Sequence, residues 1–160
     1  MKPKGPEPML RTTLMTLTIA AALTMAPSGH ALADHHEDDA EMIEQAVQDY
    51  VSSIYDMKPE LLDGSVSPKI QKVGYMPAQD GTGLEESWMT FQQLKDIAGH
   101  LNEDGMFDPA TAPREVTILD HTDMIANVKL VAGWGIDYIQ LTRYSGEWMI
   151  INVLWEMASH

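Results

Sequence analysis

Cysteine is absent from this 160-residue chain. That excludes disulfides, thiolate zinc sites, a cysteine nucleophile and a lipid anchor attached through an N-terminal cysteine. Basic residues are scarce, 10 Lys and Arg against 24 Asp and Glu, for a net charge of −14. Phosphate backbones and anionic lipid repel a surface this acidic, which argues against nucleic acid and membrane surfaces as partners. Also missing are a glycine-rich phosphate loop, a nucleophile elbow, a His-x-x-x-His pair and clustered Asp, Glu and His at metal-enzyme spacing. Beyond the first 33 residues no apolar run is long enough to span a bilayer. Apolar content is ordinary at 44%, enough at this length for one domain with a real core.

The first 33 residues are a different kind of text. Lys2, Lys4 and Arg11 form a basic start, and Leu14 to Ala26 is uncharged and rich in Leu, Ala, Met and Thr. Pro27 and Gly29 break the run, and Ala31-Leu32-Ala33 supplies a small-x-small cleavage pattern. This reads as a secretory signal peptide, too short in its apolar core for a spanning helix, with an uncleaved anchor as the alternative. The expected product is exported, periplasmic or extracellular. Cutting after Ala33 removes the three basic residues and Glu7, taking the net charge from −14 to −16. The new terminus would read Asp34-His35-His36. A free α-amine with histidine in third position can wrap Cu(II) or Ni(II) in square-planar nitrogen, so His35 and His36 are a candidate metal site. A solvated acidic tail over 34–39 is the alternative.

From residue 40 the chain reads as one folded unit to residue 160. Asp38 or Asp39 is placed to cap a helix starting at Ala40. Met42, Ile43, Ala46, Val47, Tyr50, Val51 and Ile54 give that helix one apolar stripe. Pro59 to Leu62 opens a short second helix, and Ile70 to Met76 reads as a strand. Ala78 to Glu85 looks like an exposed loop or hairpin. Ser87 is the expected cap of a third helix carrying Trp88, Phe91, Leu94, Ile97, Ala98 and Leu101 on one face. A strand at Val116 to Leu119 follows a loop rich in Asp, Gly and Pro.

Met124 to Met157 is the richest stretch in β-branched and aromatic residues, broken at Gly133-Trp134-Gly135 and Ser145-Gly146. It reads as an antiparallel meander. A two-residue loop at Ser145-Gly146 sets Arg143 against Trp148, Leu141 against Ile150, Ile139 against Asn152 and Asp137 against Leu154. One face then carries Asp137, Ile139, Leu141, Ile150 and Asn152. The other carries Tyr138, Gln140, Thr142, Met149, Ile151, Val153 and Trp155. Both faces are largely apolar and need a cover. A homodimer through the outer face would supply one.

Helices gathered before a run of antiparallel strands indicate an α+β domain. The order resembles the cone of the nuclear transport factor 2-like superfamily, a curved antiparallel sheet wrapped around N-terminal helices. Within it, the chain over about residues 40 to 157 resembles the family named "putative lumazine-binding". The carrying residues are Gln48-Asp49-Tyr50, Ser67-Pro68-Lys69-Ile70, Ile136-Asp137-Tyr138-Ile139-Gln140-Leu141 and Gly146-Glu147-Trp148-Met149-Ile150-Ile151-Asn152. That family more often has His-Pro where this chain has Ser67-Pro68. The resemblance implies a pocket and a flavin-like or pteridine-like ligand.

Asp137 is the candidate catalytic residue, since a carboxylate among aliphatic side chains can act as general base or acid. Cone-fold relatives such as ketosteroid isomerases and polyketide cyclases resemble this arrangement, using a pocket acid beside polar partners. The alternative is a strand-start aspartate bonded to its turn or to water. His100 or His121 would be its partner in an enzyme; helix-end and turn chemistry explain those histidines otherwise. Tyr50, Trp88 and Phe91 are expected to line a ligand pocket together with Ile139, Leu141, Ile150 and Asn152. Arg143 and Trp148 are expected to form a cross-strand cation–π pair. Three functions follow: a protein binding a small apolar or aromatic ligand without turnover; an isomerase, dehydratase or cyclase using Asp137; a non-catalytic homodimeric assembly module. No cofactor is implied beyond the N-terminal copper or nickel.

Overall fold

A computed structural model of the chain describes Met1, Gly5 and residues 29–78 and 80–158; along the first helix it describes side chains from Asp38. The signal-peptide reading rests mostly on residues outside that set, and so do the side chains of His35 and His36. Helix α1 runs Gly29–Tyr55. It therefore starts well before Ala40, because no breaker follows Gly29 and Ala, Leu and Glu favour continuation. Asp39 is not a cap. It is buried inside the helix, where its Oδ1 takes Arg143 Nη1 at 3.0 Å and Trp148 Nε1 at 3.3 Å. Arg143 and Trp148 are cross-strand partners, as expected, but they meet on this carboxylate.

A 3-10 turn, Pro59–Leu61, and a short helix α2, Leu62–Ser65, lead into strand β1, Val66–Pro77. Strand β2, Leu84–Met89, returns as a hairpin. The sequence there reads as a loop and a helix start. β2 is an edge strand with little burial, so Glu85, Glu86 and Ser87 show no apolar alternation. Helix α3, Phe91–His100, begins after Thr90 rather than Ser87. Thr90 Oγ1 accepts from the Gln93 backbone while Gln93 Oε1 accepts from the Thr90 backbone, a reciprocal capping box. Thr90→Ala is expected to cost about 1 kcal/mol in urea unfolding; no change would mean the box is not formed in solution.

Strands β3 (Arg114–His121), β4 (Ile125–Ala132), β5 (Gly135–Tyr144) and β6 (Glu147–Met157) complete the sheet. Its order is β2-β1-β6-β5-β4-β3. Every neighbouring pair is antiparallel except β1–β6, which is parallel. α1 lies across one face with Ile43, Val47, Tyr50, Val51 and Ile54 buried against Val128, Leu130, Ile139, Leu141, Ile150 and Val153. Each such aliphatic contributes about 1.5–3 kcal/mol by leaving water. This is the expected α+β cone, with a curved and unclosed sheet.

The terminal hairpin keeps the expected register from Tyr144–Glu147 to Leu141–Ile150. There it slips. Gln140 faces Asn152, so Ile151 is an extra residue with no partner, a β-bulge. A one-residue slip exchanges faces. Ile139 therefore opposes Val153 rather than Asn152, and Asp137 opposes Trp155 rather than Leu154. Val153 and Trp155 turn inward; Asn152 and Leu154 turn outward. The outer face carries a polar ladder, Asn152 Nδ2 to Gln140 Oε1 at 3.2 Å and Gln140 Nε2 to Asn127 Oδ1 at 3.3 Å. It is less apolar than the unbulged register implies, though Tyr138, Ile151 and Leu154 remain exposed.

Candidate functional site

Where α1 and α3 cover the end of the sheet they leave a cavity of about 560 Å³. The helices supply Tyr50, Ile54, Leu94 and Ile97; the loop after α3 supplies Leu101, Met106 and Phe107. Strands β1, β2 and β6 supply Lys72, Met89, Trp155 and Met157; the turn between β4 and β5 supplies Gly133 and Trp134, and Ala158 follows β6. The walls are apolar apart from one corner, made by Lys72 and Tyr50.

That corner is backed by Asp137, which is fully buried. Tyr50 Oη donates to Asp137 Oδ2 at 2.8 Å, and Trp134 Nε1 donates to Oδ1 at 2.9 Å. Lys72 Nζ donates to Tyr50 Oη at 2.8 Å and lies 3.4 Å from Asp137 Oδ2. The ammonium also sits 5.2 Å from the Trp155 ring centroid, within cation–π range. Burial pulls Lys72 below its usual pKa of 10.5, and the Asp137 charge opposes that pull. Burial first, and Asp137 second, push the Tyr50 phenol well above 10.0.

Local structure holds each member. Tyr50 belongs to the α1 stripe. Lys72 is in phase with Ile70 and Gly74 on the inner side of β1, so its stem must enter the core. Gly74 is required beside it. A Cβ there would come 2.0 Å from Trp155 Cε2, so only glycine lets the indole lie against β1. Trp134 is aimed by the Gly133-Trp134-Gly135 turn. Tyr55 pins that turn, accepting from the Gly133 N–H at 2.6 Å and donating to the Pro113 carbonyl at 2.6 Å.

Of the residues expected in a site, Tyr50 and Asp137 meet. Asp137 is neither solvated nor bonded only to its turn, and it stands behind Tyr50 and Lys72 rather than on the cavity wall. Ile139, Leu141 and Ile150 are sealed in the core and do not border the cavity. Asn152 is on the outer face because of the bulge. Trp88 lies on β2, 60% exposed, bonded to Glu86; Phe91 is half-buried and stacks under Lys95. His100 is exposed at the end of α3, facing the Asp96 carbonyl and Glu103, and His121 ends β3; neither borders the cavity. Lys72, Trp134 and Trp155 were not singled out in the sequence. For Lys72 the signal was present, as a lysine on the apolar phase of a strand.

The stacked burial makes a signed pH prediction. Tyr50 keeps its proton in the fold above pH 10.0, where the unfolded chain releases it. Its contribution is fully present below about pH 10 and is lost as pH rises through the folded pKa. Lys72, lowered by burial, acts with the opposite sign just below 10.5. Tyr50→Phe should therefore make the alkaline decline in stability shallower, while costing about 1–2 kcal/mol at neutral pH. Urea midpoints between about pH 8 and 11 test this; an unchanged alkaline slope contradicts it.

Comparison with known proteins fits this geometry. The family model described as "Putative lumazine-binding" matches residues 38–156. The chain belongs to that family. Solved structures share its fold at low identity. A nuclear transport factor 2-like protein of unknown function from Silicibacter pomeroyi is 16% identical with a TM-score of 0.59, covering 77% of this chain and 98% of that one. One from Shewanella baltica, also of unknown function, is 14% identical at 0.60, covering 78% and 98%. A nuclear transport factor 2-like protein with a cystatin-like fold from Novosphingobium aromaticivorans is 10% identical at 0.58, covering 85% and 92%. Comparison with curated proteins finds no match. No helix among the described residues is long and apolar enough to cross a membrane.

Proposed function

We propose that the chain is an exported protein that binds a small apolar or aromatic molecule in the cavity, without turnover. The cavity itself carries this reading: about 560 Å³, apolar on all sides but one, with a single polar corner. That is the size and lining of a site for a small organic ligand. Lumazine-binding in the family's name is in keeping with a flat heteroaromatic guest. Export rests on the basic, apolar and small-x-small pattern of residues 1–33. Titration with the neutral fluorophore N-phenyl-1-naphthylamine tests the binding. One saturable site per chain is expected, weakened about ten-fold or more in Ile97→Trp, which fills the cavity. No saturable binding, or equal binding in the variant, contradicts it.

The Tyr50–Asp137 bond favours one other reading, an isomerase, dehydratase or cyclase. Asp137 would act as base only through Tyr50, since its own oxygens face three donors and no open space. Deuterium exchange into an enolisable ketone, lost in Tyr50→Phe, would support turnover. The exposed Tyr138, Ile151 and Leu154 favour a homodimer through the outer sheet face. Light scattering at twice the chain mass is expected; the mass of a single chain argues against it.

A further inference from the structure

We infer, building on the binding reading above, that the ligand is uncharged and flat, and that it presents a carbonyl-type oxygen to Lys72 Nζ. An ammonium has three N–H donors and no acceptor. Tyr50 Oη takes one at 2.8 Å and Asp137 Oδ2 takes a second at 3.4 Å. Among the described residues the third has no hydrogen-bond acceptor and only the Trp155 ring nearby, although Lys72 is only 4% exposed and borders the cavity. A buried donor left over in this way calls for an acceptor from the guest. Tyr50 adds no further donor, because its one proton is committed to Asp137.

Charge then narrows the class. Lys72 and Asp137 cancel one another, and among the described residues no other charged side chain lines the cavity. A carboxylate or phosphate would lose its water for a cation already matched by Asp137. A cationic guest would meet Lys72 directly. Both are disfavoured against a neutral molecule with a dipole at the right place. The site therefore excludes phosphate-bearing cofactors and fatty acids, and it admits flat ketones, quinones and lactams. Flatness follows from the walls: Trp134, Trp155 and Phe107 offer ring faces and edges, with Met89, Met106 and Met157 as deformable filler between them.

Equilibrium dialysis of the whole protein against three matched compounds tests the inference: 2-acetylnaphthalene, 2-ethylnaphthalene and 2-naphthoate. The ketone should bind about ten-fold tighter than the hydrocarbon or the carboxylate, the ratio expected for one hydrogen bond to a charged donor. In Lys72→Met the ratio of ketone to hydrocarbon affinity should fall to about one. The double variant Lys72→Met with Asp137→Asn, which leaves no unmatched charge, should do the same if the single variant fails to fold. Equal or tighter binding of 2-naphthoate overturns the inference, and so does a ketone preference that survives in the double variant. If N-phenyl-1-naphthylamine binds and none of the three does, the ligand class is wrong. If that fluorophore fails as well, the binding reading falls and takes this inference with it.

Discussion

Replacing Asp137 by leucine is expected to lower the unfolding free energy by about 3–5 kcal/mol, the usual cost of stripping a buried ion of its partner. Three donors converge on this carboxylate, from Tyr50, Trp134 and Lys72. The aspartate is fully buried and the lysine side chain is 5% exposed, so water cannot replace what is lost. Removing both ions is a different experiment. With Lys72→Met added, no charge is left at this corner, and about 2 kcal/mol or more should return, because an apolar pair of similar volume tolerates burial. Urea unfolding of the two single variants and the double variant closes the cycle. A loss in Asp137→Leu below about 1 kcal/mol would mean that the corner is wet and the pair weak.

The second large effect is expected at Gly135. Its φ of +146° lies outside the range that L side chains favour, and a Cβ would stand 2.0 Å from the Glu156 carbonyl oxygen and 2.8 Å from the Ala158 nitrogen. Those are backbone atoms at the end of β6 and just past it, and they cannot swing aside as a side-chain end can. Gly135→Ala must therefore part β5 from β6 at the Gly135–Met157 pair, at about 3 kcal/mol from strain and lost ladder bonds together. The site is affected as well. Trp134 is held on Asp137 by the turn that Gly135 closes, and Met157 and Ala158 border the cavity. Near-ultraviolet dichroism should show a changed tryptophan signal alongside the loss of stability. A variant with unchanged spectrum and midpoint would contradict the close approach.

Much of this fold is written in the sequence in a direct way. The apolar stripe of α1, the Ser145-Gly146 turn and the first four pairs of the terminal hairpin follow from period and turn chemistry. What is not written is the bulge at Ile151. Nothing in the run from Ile150 to Val153 marks one residue as extra, and the consequence for the site is large. The slip carries Trp155 to the cavity and removes Asn152 from it. β2 was hidden for another reason: an edge strand that packs little needs no apolar phase. Asp137 could be recognised as an acid on an inward face, but its partners could not. Lys72 lies 65 residues away on a strand that pairs with β6 in parallel, and Trp134 sits in what reads as a glycine turn. Long-range partners of a buried charge are set by topology, which local periodicity does not encode. The lysine's phase with Ile70 and Gly74 was the available clue.

A polar corner built this way has one functional consequence. Asp137 opposes the loss of charge that burial imposes on Lys72 without itself bordering the cavity, so a guest there would meet a cation whose charge is already matched. Methyl NMR of the protein labelled with carbon-13 at the methionine methyls, titrated with 2-acetylnaphthalene, tests the occupancy of that cavity most directly. The resonances of Met89, Met106 and Met157 should shift in a saturable way, while those of Met124 and Met149, which lie outside it, stay in place. Shifts confined to Met124 and Met149, with the three cavity methionines unmoved, would contradict the account.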